Sequence, residues 1–124
     1  MIEWFSLKNK ENYATIDKKA ITFSVGNKEV LDSAYSVMLG VDLEKKEIHV
    51  RILNADLANR GDIPLDFQNH VSVGKSYARI TNKSFIESLI ESGLIDLESV
   101  TQRKFVTKFD KNNNTIIIEL GRGM

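Results

Sequence analysis

The chain has 124 residues, of which 42% are apolar, and it carries 17 basic against 17 acidic residues with an isoelectric point near 6.7. That size and apolar content fit one compact domain or two half-domains sharing a core, and they argue against disorder. The charge balance gives no global attraction to nucleic acid or anionic membranes, so binding of that kind requires a local basic face. With no cysteine, disulfides, thiolate catalysis and zinc–thiolate sites are excluded.

The N-terminal "MIEWFSLKNK" is interrupted by Glu3 and lacks the apolar core of a signal peptide. No apolar run approaches the roughly 20 residues needed to span a bilayer. The expectation is a soluble, cytoplasmic chain that does not enter a membrane. Trp4 and Phe5 are expected to pack on the body of the fold or to form an oligomer contact.

In chain order, "YATI" (13–16) and "AITFSV" (20–25) flank "DKK" and predict a hairpin. "GNKEVLDSA" predicts a short helix, with Asn27 as its cap and Glu29 in the first turn. Val30, Leu31 and Ala34 share one face of it. Val37, Leu39 and Val41, then Ile48, Val50 and Ile52, alternate with other residues around a polar turn. Period two on both arms predicts a second hairpin burying one face.

The stretch 54–68 holds the only proline, Pro64, with Gly61 and Asp62, and reads as a linker. "HVSV" (70–73) and "SYARI" (76–80) then flank Gly74-Lys75, a tight-turn signal. In "TNKSFIESLIESG", Phe85, Ile86, Leu89 and Ile90 form an apolar stripe, "SFIE" fits a capping box and Gly93 is a stop. "FVTKFDKNNNTIIIEL" (105–120) predicts the last hairpin, around an Asn-rich turn.

Both halves therefore read strand, turn, strand, helix, strand, turn, strand. Laying Ser24 on Arg79 aligns "SVGNKEVL" with "RITNKSFI", and laying Val37 on Phe105 aligns the second hairpin with the last without a gap. In that second alignment Val41, Ile48, Val50 and Ile52 meet Phe109, Ile116, Ile118 and Leu120, while Asp42 meets Asp110. The one departure is Leu39 against Thr107. A slip of one position would turn every side chain to the wrong face, so the match tests more than a shared strand label. The expected fold is α+β, mainly antiparallel β, from two tandem ββαββ repeats, about 13–53 and 69–120, joined by the linker.

This order within so short a stretch resembles the swapped-hairpin unit of the AbrB, MazE and MraZ group of DNA-binding regulators and antitoxins. The resemblance implies two units interlocking their hairpins into one pseudo-twofold barrel. It also implies a small DNA-binding regulator without a cofactor. Lys18-Lys19 stands where that family favours Gly-Arg, and neither unit has its proline before the helix. "DLANR" (56–60) falls in the linker, where the MraZ-type Asp-x-x-x-Arg does not belong. The family's first hairpin and the loop before its helix supply phosphate contacts. The corresponding residues here are Lys18, Lys19 and Lys28 in one unit and Lys75, Arg79 and Lys83 in the other. The alternative is a non-catalytic module binding a protein, a ligand or a second copy through the same barrel.

Catalysis has no constellation: His49 and His70 lack any triad partner in the sequence pattern. "DKNNN" from Asp110 lacks the spaced acids of a calcium loop, and no metal site is expected. "VGNKEV" has neither the glycine spacing nor the Lys-Ser/Thr pair of a phosphate loop.

Overall fold

A computed structural model describes residues 12–123. Trp4 and Phe5 lie outside the described residues. Among the described residues the structure is α+β, with eight strands in one antiparallel sheet and three α-helices. The strands are β1 (Tyr13–Asp17), β2 (Ala20–Phe23), β3 (Ser36–Asp42), β4 (Glu47–Leu53), β5 (Ser72–Val73), β6 (Ala78–Thr81), β7 (Gln102–Asp110) and β8 (Thr115–Gly123). The helices are α1 (Val25–Leu31), α2 (Ala55–Asn59) and α3 (Lys83–Glu91). Among the described residues no helix is long and apolar enough to cross a membrane.

Spatial order is β3-β4-β8-β7-β1-β2-β6-β5. Hairpins from the first and second halves of the chain thus alternate across the sheet. The sheet curls until its edges meet. Val37 of β3 and Asn69, just before β5, exchange both backbone hydrogen bonds at 3.0 and 2.8 Å. Alternate strand residues point inward, and Ile16, Phe23, Ile48, Val50, Ile80, Ile116 and Ile118 join the helix residues Leu31, Ile86 and Leu89 in one apolar cluster. Each such side chain contributes roughly 1.5–3 kcal/mol when fully buried. Neither half encloses that cluster alone.

When Val37 is laid on Phe105, the two long hairpins pair in corresponding registers from Leu39 and Thr107 to their turns, whereas at the strand start Val37 opposes Ile52 and Phe105, beyond a bulge, opposes Gly123 in place of Leu120. Leu39 opposes Val50 and Val41 opposes Ile48, while Thr107 opposes Ile118 and Phe109 opposes Ile116. Their turns correspond too. Lys46 and Asn114 both take a left-handed backbone, at φ 55° and 50°. The Ile52 N–H donates to the Asn114 carbonyl at 2.9 Å, and the Leu120 N–H donates to the Lys46 carbonyl at 3.0 Å.

Several expectations are corrected. Helix α1 starts at Val25 after Ser24, so Asn27 is inside the helix and Glu29 is beyond its first turn. Asn27 is 2% exposed, and its amide donates to the Tyr13 carbonyl at 3.2 Å and to Thr107 Oγ1 at 2.7 Å. A buried amide gains more from two fixed acceptors than from capping an exposed turn. This explains why threonine stands at 107, where the matching position of the earlier hairpin holds Leu39.

The cap of α3 is Asn82, which accepts from the Phe85 N–H at 3.0 Å, so Ser84 is not a capping residue. Gly93 does stop this helix, at φ +81°. The Gly93 and Leu94 N–H groups return to the Ile90 and Leu89 carbonyls, which is the paired closure a left-handed residue permits. The turn between β5 and β6 spans 74–77 rather than Gly74-Lys75 alone.

The linker is structured as well. Asn54 caps α2, and a 3-10 turn follows at Leu65–Phe67. The Gln68 amide donates to the Ala58 and Ile63 carbonyls, and its oxygen accepts from Ser36 Oγ. Sequence composition marked the chain reversals here but not these tertiary partners.

Two outcomes are expected in urea unfolding. Asn27→Leu and Thr107→Val each lose roughly 1–3 kcal/mol by leaving a buried polar group unpaired, and the double variant loses less than their sum. Lys46→Gly, which relieves a non-glycine left-handed turn, gains up to about 1 kcal/mol.

Candidate functional site

Inward positions of β1, β2 and β6 are apolar, as is Phe105 of β7, and the outward positions of these strands form a separate polar face. Ladder pairing lines up Lys104, Thr15, Thr22, Arg79 and Ser72 directly across five strands. This face forms a shallow concavity of about 330 Å³, with Tyr13, Asp17 and Gln102 also on its wall.

At one end of the β2–β6 ladder is the β1–β2 turn, carrying the exposed Lys18 and Lys19. Asp17 builds that turn, because its Oδ1 accepts the N–H groups of Lys19 and Ala20, both at 2.8 Å. The Asn82 N–H donates to the Lys19 carbonyl, which sets the start of α3 and Lys83 against this turn. At the other end, Phe23 opposes Ala78 and brings the 74–77 turn beside the start of α1. Here the Gly74 N–H donates to the Tyr77 carbonyl at 2.8 Å and Lys75 is exposed at the tip. Strand β2 separates the two ends by roughly 10 Å at about 3.3 Å per residue.

The six basic residues singled out by the sequence are thus distributed along one ladder. Lys18, Lys19 and Lys83 gather at one end, Lys75 and Lys28 at the other, and Arg79 is on the face between. Three are matched by carboxylates: Lys28 with Asp32 at 3.2 Å, Arg79 with Asp17 at 3.7 Å and Lys83 with Glu87 at 3.9 Å. Exposed pairs of this kind contribute about 0–1 kcal/mol, so their effect is on local potential more than on stability. Among the described residues Lys18, Lys19 and Lys75 make no ion pair.

Sequence reasoning missed Lys104, whose ammonium lies 5.0 Å from the centre of the Tyr13 ring. The alternation in "QRKFV" places it opposite the buried Phe105. Its membership of this face depends on the β1–β7 pairing, which no local pattern announces.

The histidines are elsewhere. His49 Nε2 is 3.1 Å from Glu47 Oε1 on the outer face of β4, while His70 is exposed. Asp42, Glu47 and His49 each offer a donor atom within 4.8 Å of the others. Glu47 is already matched on both oxygens, by His49 and by Lys108 at 3.7 Å, and Lys108 also reaches Glu119 at 3.4 Å. A surface ion network accounts for this grouping. In the Asn-rich turn, Asp110 Oδ2 accepts from the Asn113 amide at 2.7 Å and Oδ1 from the Asn112 N–H at 3.1 Å. Both oxygens hold the turn together.

Comparisons of the chain with protein families, with curated proteins and with solved structures return no match.

The Asn113 amide, followed by the backbone N–H groups of the turn, holds the Asp110 carboxyl below its ordinary value of 3.8. A carboxyl depressed in the folded state stabilises fully above its ordinary value, and that contribution is lost as pH falls through the lower, folded one. Urea midpoints followed from about pH 5 to about pH 2 should therefore fall less steeply for Asp110→Asn than for the parent chain.

Proposed function

We propose that the chain consists of two copies of one ββαββ unit, interlocked as a swapped-hairpin barrel, and that it binds duplex DNA as a small regulator of AbrB-like type. The alternation of hairpins, and registers of the β3–β4 and β7–β8 pairs that match from Leu39 and Thr107 to the turns, support the two-copy reading. One observation carries the DNA reading. The antiparallel β2–β6 pair sets the free lysines of both short turns at opposite ends of one exposed polar face, with Arg79 between them. A duplex offers two rows of phosphates to a platform of that form, and phosphate contacts would fix its register. Thr15, Thr22, Gln102 and Arg79 supply hydrogen-bonding groups to face base edges.

A second reading has its own support. The chain is neutral, and half of the six basic residues carry a carboxylate partner. These favour a protein partner on the same platform in place of DNA.

Duplex binding measured against salt separates the two. The DNA reading expects a linear fall of log affinity with log salt, with a slope contribution of about 0.9 per phosphate contact. The triple variant Lys18→Ala, Lys19→Ala, Lys75→Ala should flatten that slope by up to about 3. Absence of duplex binding at low salt would leave the protein-partner reading in its place.

A further inference from the structure

We propose that the two ends of this platform are electrostatically unequal. The end bearing Lys75 and Lys104 holds phosphate, and the end bearing Lys18 and Lys19 is attenuated by the loop 92–101. This inference rests on the DNA reading above, and it concerns how the duplex is held.

Two independent features break the correspondence between the halves. The first is an insertion. Helix α1 leads to β3 through the short segment 32–35, whereas α3 leads to β7 through the longer 92–101. The longer loop is not loosely attached. Ile95 and Leu97 are 3% and 2% exposed, the Arg103 Nε–H donates to the Asp96 carbonyl at 2.6 Å, and Asp96 Oδ1 accepts the Glu98 N–H at 2.9 Å. So fixed, the loop flanks the β1–β2 turn. Asp17, Lys18, Lys19, Leu97, Glu98 and Thr101 line one concavity of about 450 Å³ between them. The Asp17 carboxylate is matched by Arg79 at 3.7 Å, so a phosphate approaching the two lysines meets Glu98 as the added like charge, which lowers the local potential.

The second feature is Lys104. Its ammonium is over the Tyr13 ring, and the Tyr13 N–H donates to Ser24 Oγ at 3.1 Å. The Lys104 backbone is level with Arg79 in the middle row, and its ammonium leans from there toward the α1 end of the ladder, the end that holds the 74–77 turn. Its counterpart in the first half, under the alignment of Val37 with Phe105, is Ser36, which is uncharged, buried and bonded to Gln68. One end thus gains a cation and the other gains an acid. A duplex would be held mainly from one side, in one preferred orientation.

The experiment compares two double variants and one single variant by the salt dependence of duplex binding, with urea midpoints confirming that each is folded. Lys75→Ala with Lys104→Ala should reduce the slope by roughly 2, as two phosphate contacts do. Lys18→Ala with Lys19→Ala should reduce it by less than half as much. Glu98→Gln, an exposed change that keeps the loop's backbone bonds, should steepen the slope and tighten binding. Equal losses from the two pairs, with no response to Glu98→Gln, would overturn the inequality while leaving DNA binding intact. A parent chain without salt-dependent duplex binding would overturn both readings together.

Discussion

The hydrogen bond from the Asn27 amide to Thr107 Oγ1 joins residues 80 positions apart and lies wholly inside the molecule. It connects helix α1 of the first half to strand β7 of the second, while the same amide holds the Tyr13 carbonyl of β1. Those three elements meet where hairpins from different halves lie side by side. Apolar burial is non-directional and would tolerate other pairings of similar strands. A buried amide tolerates far fewer, because an unmatched partner carries the full cost of desolvation. This bond therefore selects which hairpin neighbours which, while the surrounding isoleucines supply most of the energy.

The helix of the second half has a comparable attachment with a different chemistry. Asn82 caps α3 and also donates to Asn69 Oδ1 at 2.8 Å, and Asn69 is the residue that closes the sheet onto Val37. Each helix start is thereby fixed to a junction between hairpins of opposite halves. The polar face is a by-product of this arrangement. Once β2 and β6 pair through the centre, their two turns have to emerge at opposite ends.

Features that depend on period and spacing were legible in the sequence. The alternation of Ile48, Val50 and Ile52 with His49 and Arg51 specified which side of β4 is buried, and Gly93 marked the end of α3. Features that depend on a distant partner were not. Asn27 follows Val-Gly at the start of a helical pattern and reads as a cap, because Thr107 is invisible from that position. The basic residues were legible as charges, but their pairing with Asp17, Asp32 and Glu87 was legible only in part. The Lys28–Asp32 and Lys83–Glu87 pairs follow helical spacing, whereas Arg79–Asp17 requires the β1–β2–β6 ladder. Lys104 was missed for the same reason.

The meeting of Val37 with Asn69 differs in kind from every other junction in the sheet. On the corresponding side, β1 and β7 pair along the whole of β1, whereas here a single bridge is held by two backbone hydrogen bonds and the side chains of Gln68, Asn69 and Asn82. The sheet therefore has a seam. Thermal opening begins where the fewest bonds must break together, so amide exchange should be fastest there rather than along the long ladders. A curled sheet that opens at one seam keeps its hairpins intact, and because both edges of the seam belong to one chain, their high effective concentration favours reclosure on its own hairpins.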